Sequence, residues 1–295
     1  MTIIEALGMK TAVITTGGLG TRLSTYTKAN PKTMLSLYDQ SFDNSPEPLL
    51  RPLIEIIFEN LYDHGFRRFC FIVGTKTKRS ILDHMTSDKD FIKLLKKRNN
   101  QYDNRFVKAL TKFYNKIDKC EVSWISQNTP MGFGHALLSA KKFVGKNTFL
   151  LHAGDAYFPS YDFLDDFIAA YQKNNDISGT LLLQAKKSLK GFGIAQTIKN
   201  NPLDLVFHVV EKPKKPLSNL VILPVYILKP IIFEALEKTG LGHNKELQVT
   251  DAIATLMRWN HKITSFNIKN IPWFDIGTTR QYYKALIYSY KQSVK

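Results

Sequence analysis

Cysteine is nearly missing from this chain: its 295 residues include only two, Cys70 and Cys120. Cys70 lies inside the apolar run Phe69 to Val73, Cys120 lies near the start of another strand-like run, and neither has a C-x-x-C neighbour. A disulfide scaffold and a thiolate metal site are thereby excluded, and both cysteines read as reduced, structural residues. Long hydrophobic runs are missing too. Those present, such as Val221 to Leu228, fall well short of the roughly 18 apolar residues of a membrane span. Met1 to Gly8 holds no basic stretch ahead of an apolar one, so no secretory signal is read there and the expected location is cytoplasmic. Acidic residues are the scarce charge, 25 Asp and Glu against 41 Lys and Arg, for a formal net charge of +16. There is no Gly/Ser linker, low-complexity tract or internal repeat to divide the chain, so one domain over residues 1–295 is expected.

What is present is a globular composition. Hydrophobic residues make up 44% and aromatics 12%, enough to bury a large core and to exclude intrinsic disorder. Short apolar, β-branched runs predict strands at Thr11 to Thr15, Phe69 to Val73, Glu121 to Ser126, Thr148 to His152, Gly179 to Gln184, Val206 to Val210, Val221 to Leu228 and Ile263 to Ile268. Between them, Leu50 to Tyr62 repeats apolar residues at helical spacing through Leu53, Ile54, Ile57, Phe58 and Leu61, and Tyr161 to Tyr171, Pro230 to Leu236 and Gln248 to Trp259 read alike. Strand then helix, repeated, predicts an α/β fold: a Rossmann-like, mostly parallel sheet covered by helices on both faces, with ligands at the carboxyl ends of its strands.

The positive charge is concentrated. Residues 67–119 hold 15 Lys and Arg but 5 Asp and Glu, and read as a basic insertion. Within it Phe91 to Arg98 has the pattern of an amphipathic helix with a basic outer face. A solvated face is the plain reading of such a surplus. Backbone phosphates of a nucleic acid are the sharper one, but no helix-turn-helix, zinc-finger or RNA-recognition signature accompanies the segment, and nucleic acid is not expected as a partner.

The strongest local signal is Thr11-Ala12-Val13-Ile14-Thr15-Thr16-Gly17-Gly18-Leu19-Gly20-Thr21-Arg22-Leu23, a strand that runs into a glycine-rich loop. Glycines without Cβ atoms let backbone N–H groups turn toward an anion and approach it closely. Arg22 adds a planar cationic fork suited to phosphate oxygens, and Pro31-Lys32 brings a second cation after a rigid turn. A dinucleotide fingerprint is excluded because Leu23 stands where its third glycine belongs, and a P-loop because no Gly-Lys-Ser or Gly-Lys-Thr follows.

Gly18, Gly20, Thr21, Arg22 and Leu23, followed by Pro31, Lys32 and Met34, resemble the G-x-G-T-R-L and P-K-x-M motifs of the sugar-1-phosphate nucleotidyltransferases. The resemblance continues in order along nearly the whole chain. Gln127 to Ala136 is similar to the base-recognition loop and following helix of the bacterial and archaeal UTP–glucose-1-phosphate uridylyltransferase branch, and Glu246 to Ile253 to a helix start of that branch. His152-Ala153-Gly154-Asp155 and Trp273 to Thr278 resemble the segments that carry the family's two metal-site aspartates; Phe192-Gly193-Ile194 and Val210-Glu211-Lys212-Pro213 resemble its sugar-binding segments.

The resemblance implies a nucleotide-diphospho-sugar transferase fold with a nucleotide-binding part over 10–155 and a sugar-binding part with C-terminal helices over 156–295. It implies conversion of UTP and glucose 1-phosphate to UDP-glucose and pyrophosphate with Mg²⁺ as cofactor. Gly17, Gly18, Gly20, Thr21, Gln127 and Gly132 would bind the nucleotide, and Gly193, Glu211 and Lys212 the sugar phosphate. Arg22, Lys32 and Lys212 would be the catalytic cations, and Asp155 and Asp275 the metal ligands. His135 is assigned no chemistry. Family analogy implies a homo-oligomer, dimer or tetramer. A dTTP-using glucose-1-phosphate thymidylyltransferase, which shares the loop and both aspartates, is the nearest alternative, and a sugar-nucleotide or nucleic-acid-binding protein the non-enzymatic one. The sequence departs from the pattern at Thr15-Thr16, where the family has two alanines, and at Thr25, where it has proline. Tyr38 to Pro48 reads as an insertion, and no hexapeptide repeat of a β-helix is read in the chain.

Overall fold

The computed structural model describes residues 9–18, 20–40, 47–98, 100–174 and 176–294. In chain order the strands are β1 (Thr11–Thr15), β2 (Ser36–Asp39), β3 (Leu49–Pro52), β4 (Arg68–Gly74), β5 (Glu121–Gln127), β6 (Phe149–Ala153), β7 (Ala156–Tyr157), β8 (Gly179–Ala185), β9 (Ile194–Ile198), β10 (Asp204–Val210), β11 (Leu220–Leu228), β12 (Ile263–Asn267) and β13 (Phe274–Asp275). Nine of them form one sheet in the order β5-β4-β1-β6-β11-β8-β12-β10-β9. Parallel pairings join β5, β4, β1 and β6, and join β8 to β12. The antiparallel pairings all involve β11 or β10, so seven strands run one way and these two run back between them. A mostly parallel sheet is therefore what forms.

Why the strands are apolar at every position is visible in β1. Ala12 and Ile14 pack into one core and Val13 into a second on the opposite face, all three fully buried. Helices cover both faces, as an apolar parallel sheet requires. The Leu53–Asp63 helix lays Phe58 against Phe69 of β4 at 4.8 Å between ring centroids, while the Ile231–Lys238 and Val249–Arg258 helices fill the other face with Phe233, Leu236, Ile253 and Leu256. The expected Leu50 to Tyr62 helix begins only at Leu53, because Leu49–Pro52 is strand β3. Pro52 has no N–H to give a helix interior and holds the preceding residue extended.

Arg68–Gly74 is an internal strand, so the basic stretch 67–119 is anchored in the sheet and lies outside it only from residue 75 onward, chiefly as the Lys78–Met85, Lys89–Arg98 and Gln101–Ile117 helices. Lys116 from the last of these reaches Glu59 at 3.1 Å and Asp63 at 2.8 Å. Arg51 at the end of β3 gathers three carboxylates, those of Asp39, Glu55 (2.7 Å) and Glu59. His84 meets the second oxygen of Glu55 at 2.8 Å. Strand β2, its hairpin partner β3 and three helices are thus tied by one ion network. Within the expected insertion Tyr38 to Pro48, residues 41–46 lie outside the described residues.

Both cysteines are free. Burial pushes the Cys70 thiol up to about 12 and Cys120 up to about 11, so neither is a reactive thiolate. No helix among the described residues is long and apolar enough to cross a membrane.

Candidate functional site

Strands β1, β4, β5 and β6 run parallel, so Thr15, Gly74, Gln127 and Ala153 end at the same edge of the sheet. The glycine loop begins there. Thr16 hangs on β4 through both its N–H and its hydroxyl, which donate to the Ile72 carbonyl at 2.7 and 2.9 Å, bonds that two alanines could not both make. Gly20 has φ = 65°, and a Cβ there would stand 2.8 Å from Thr27 and 3.1 Å from the Lys32 side chain. Only glycine allows that turn and that closeness. Gly20 caps a short helical segment, Thr21–Lys28, which carries Arg22.

Lys32 follows Pro31 and sends its ammonium 2.9 Å from the Asp155 carboxylate. Asp155 is placed by Gly154, whose N–H donates to the Thr15 carbonyl at 2.8 Å; a Cβ on Gly154 would come within 2.7 Å of that oxygen. Asp275 comes from far along the chain. Strand β13 pairs with β7 so that Asp275 stands opposite Ala156, and the Ile276 N–H donates to the Asp155 carbonyl at 2.8 Å. A two-rung ladder therefore sets the aspartates side by side. Burial first, and then the charge of Asp155, raises the Asp275 carboxyl above the usual carboxylate range, with Lys32, Arg22 and the Gln281 side chain pulling the other way. Arg22 reaches the same corner, since a Cβ on Gly277 would lie 3.0 Å from its guanidinium and 3.1 Å from the Asp275 carboxylate.

On the other side of the opening, Gln127 ends β5 and is buried, and its amide nitrogen lies 2.9 Å from Nδ1 of His135. Gly132 has φ = 103° and introduces the Phe133–Ser139 helix. A Cβ on it would stand 2.6 Å from the Leu247 carbonyl. Gly132→Ala is accordingly expected to cost about 2 kcal/mol or more from backbone strain and the clash together. Urea denaturation measures this, and a change under about 0.5 kcal/mol would mean that the loop yields freely. Glu211, just past β10, accepts the Thr250 hydroxyl at 2.7 Å and pairs with Lys212 at 2.9 Å. Gly193 faces this pair, and a Cβ there would lie 3.1 Å from both Glu211 and Thr250.

Every site residue expected from sequence, namely Gly17, Gly18, Gly20, Thr21, Arg22, Lys32, Gln127, Gly132, Asp155, Gly193, Glu211, Lys212 and Asp275, lines one cavity of about 490 Å³. Three further residues join the site without having been expected from sequence: Thr250, inside the Glu246 to Ile253 segment, Gln281, whose amide is 3.5 Å from Asp275 and which no motif marks, and Trp273, the first residue of the Asp275 motif, which lines the cavity and carries the Lys186 ammonium 4.0 Å from its ring centroid. Among the described residues no group of three or more His, Cys, Asp or Glu side chains is arranged to hold a metal. Asp155 and Asp275 stand as a pair.

The similarities to known proteins agree with this geometry. A family model described as nucleotidyl transferase matches residues 11–291. The UTP–glucose-1-phosphate uridylyltransferase of Mycoplasma pneumoniae is 32% identical over 291 residues, spanning 95% of this chain and 92% of its own. That of Streptococcus pneumoniae serotype 4 is 31% identical over 261 residues, spanning 84% of this chain and 80% of its own. A solved UDP-glucose pyrophosphorylase complexed with UDP-glucose is similar with a TM-score of 0.80 and 26% identity, over 96% of this chain and 99% of that one. The strand-end cavity with its glycine loop and paired aspartates is thus found in a chain that belongs to the nucleotidyl transferase family.

Proposed function

We propose that the protein joins UTP and glucose 1-phosphate into UDP-glucose with release of pyrophosphate. The observation that carries this reading is the meeting, in one cavity, of the glycine loop with Arg22 and Lys32, the Asp155–Asp275 pair, and the Glu211–Lys212 pair. The likeness to UTP–glucose-1-phosphate uridylyltransferases supports the choice of nucleotide and sugar.

The aspartates fit a divalent metal. Two hard oxygen donors stand side by side, and burial first and the charge of Asp155 second raise the Asp275 carboxyl despite Lys32 and Arg22. Mg²⁺ takes one or two carboxylates together with phosphate oxygens and water. Asp155 and Asp275 would hold it, and when bound it would neutralise charge on the triphosphate.

The chain's own residues do the rest. Backbone N–H groups of Gly17, Gly18, Gly20 and Thr21 cradle the phosphates, and the Arg22 fork and the Lys32 ammonium neutralise them. Gln127 and Gly132 meet the base. Gly193 leaves room for the sugar, and Glu211, held by Thr250, accepts its hydroxyls. Lys212 steers the sugar phosphate, one oxygen of which bonds to the α-phosphorus while the α–β bridging bond breaks and pyrophosphate leaves opposite. The attacking oxygen is already anionic, so no side-chain nucleophile or base is required, and positioning with charge neutralisation carries the rate. The nucleotide would lie on the 10–155 part and the sugar on the 156–295 part.

The test is pyrophosphate release by purified protein with glucose 1-phosphate, Mg²⁺ and each of UTP, dTTP, ATP, CTP and GTP, with EDTA as control. Release that needs both substrates and metal, fastest with UTP, is expected. A preference for dTTP would make the protein a thymidylyltransferase, and no release with any nucleotide or sugar phosphate would make it a binding protein. Lys212→Ala is expected to raise KM for glucose 1-phosphate about tenfold or more while KM for UTP moves less than about twofold. Equal changes in both would remove Lys212 from the sugar phosphate.

A further inference from the structure

We infer that Gln184, near the end of β8, sets the affinity of the site for its divalent metal by holding Trp273, and through it Asp275, in place. The inference rests on the reading that Asp275 helps to hold that metal. Beyond β12 the chain keeps to β8, with the Ile268 N–H donating to the Leu183 carbonyl at 3.0 Å. The Gln184 side chain makes the next two ties. Its Nε2 donates to the Ile271 carbonyl at 2.8 Å, and its Oε1 accepts the Trp273 indole N–H at 3.0 Å. A carbonyl can only accept and an indole N–H can only donate, so these two partners leave the amide a single orientation. One side chain thus clamps both ends of the Ile271-Pro272-Trp273 step that leads into β13. The ring of Trp273 is held as well, with the Lys186 ammonium 4.0 Å from its centroid and Phe192 edge-on at 5.5 Å.

The pleat carries this hold to the aspartate. Side chains two apart along an extended strand point the same way; Trp273 and Asp275 both line the cavity, whereas Phe274 between them packs on Tyr157 and Tyr288. The ladder to β7 has two rungs and stops at Phe274, so the Gln184 clamp fixes how the strand enters it. Trp273 is 7% exposed, and without Gln184 its N–H would be left buried and unpaired, a cost relieved by re-seating the ring. Re-seating rolls β13 and moves the Asp275 carboxylate relative to Asp155. Gln184 does not line the cavity. It is a positioning residue, acting through Trp273.

The test reads Mn²⁺ binding to the nucleotide-free protein from the free-ion EPR signal, and the Mg²⁺ dependence of pyrophosphate release, in the wild type, Gln184→Leu, Trp273→Phe, the double variant and Asp275→Asn. Loss of a group that orients a metal ligand directly weakens metal binding about tenfold or more, and Gln184 acts one residue further out. The Mn²⁺ dissociation constant and the Mg²⁺ concentration at half-maximal rate are therefore each expected to rise about fivefold in Gln184→Leu, while kcat at saturating Mg²⁺ moves less than about twofold. Trp273→Phe, which keeps a ring but loses the N–H, is expected to match it in Mn²⁺ binding, and the double variant to add little, because both changes break the same bond. A lowered melting temperature with Mn²⁺ binding unmoved in Gln184→Leu would make the residue merely structural and overturn the inference. Binding unmoved in Gln184→Leu and Trp273→Phe but weakened in Asp275→Asn overturns the role of Gln184 and leaves the metal reading standing; binding unmoved in all three overturns both. A wild type that takes up no Mn²⁺ has no preformed pair for Gln184 to hold, which overturns the inference as well. Should Gln184→Leu not fold, Trp273→Phe decides by the same titration.

Discussion

Asp155→Asn and Asp275→Asn are each expected to lower turnover by about a hundredfold or more, the scale on which loss of one group that stabilises transferring charge is felt. The fold should survive both. The Asp155 side chain is one-third exposed, and its backbone, which anchors the ladder through the Ile276 N–H, is untouched by the change. Asp275→Asn has a further signature. Its carboxyl is raised by burial and by Asp155, so a neutral amide relieves a cost that the native state bears, and the melting temperature should hold or rise while activity collapses. Pyrophosphate release titrated with Mg²⁺, alongside thermal melting, checks both parts. Near-normal turnover in both variants would remove the aspartates from the metal site.

The second large effect is on stability and lies away from the cavity. Arg51→Ala is expected to cost about 3 kcal/mol, the lower end of the range for removing one partner of a buried ion pair. Glu55 and Glu59 are each 8% exposed and would lose the guanidinium they share. His84 and Lys116 would remain to hold them, which is why the lower end applies. Arg51→Lys restores the charge but not the fork and should recover only part of the loss. The network also sets a pH dependence. Burial opposes ionisation of Glu55, yet its bond to His84 and the charge of Arg51 prevail and hold its carboxyl below the ordinary value of 4.5. A depressed acid contributes stability that is fully present above 4.5 and is lost as pH falls through the folded-state value. Urea midpoints should therefore drop on the acid side of that window, and drop less in Glu55→Gln. An Arg51→Ala loss below about 1 kcal/mol would mean that water already screens the cluster.

What the sequence disclosed follows from where information sits in a chain. Strands such as β1 and β4 were legible because both faces are buried, which turns a run like Ala12-Val13-Ile14 into an unmistakable apolar block. The candidate site residues, which the fold gathers around one cavity, were legible as candidates because each lies in a short contiguous motif. The hairpin of β2 and β3 was not, since half-exposed strands of four residues leave little pattern, and Pro52 concealed the boundary with the following helix. Nor was the Thr279–Ser293 helix, whose tyrosines and lysines blur its apolar side; it buries Ala285 and Ser289 and leaves Tyr283 63% exposed. Partnerships were the least legible of all. Thr250 with Glu211, and Arg51 with three carboxylates, join residues that only the finished fold brings together.

The β7–β13 ladder has a consequence for the order in which this protein becomes an enzyme. The glycine loop, Lys32 and Asp155 are all synthesised well before Asp275, which joins them only when β13 closes against β7. Closing so long a loop is entropically costly and is repaid by two rungs and the helix that follows. On the proposed function, a chain in which this ladder has not closed would own the phosphate-binding loop while lacking the second metal ligand, and competence would come only when β13 docks against β7.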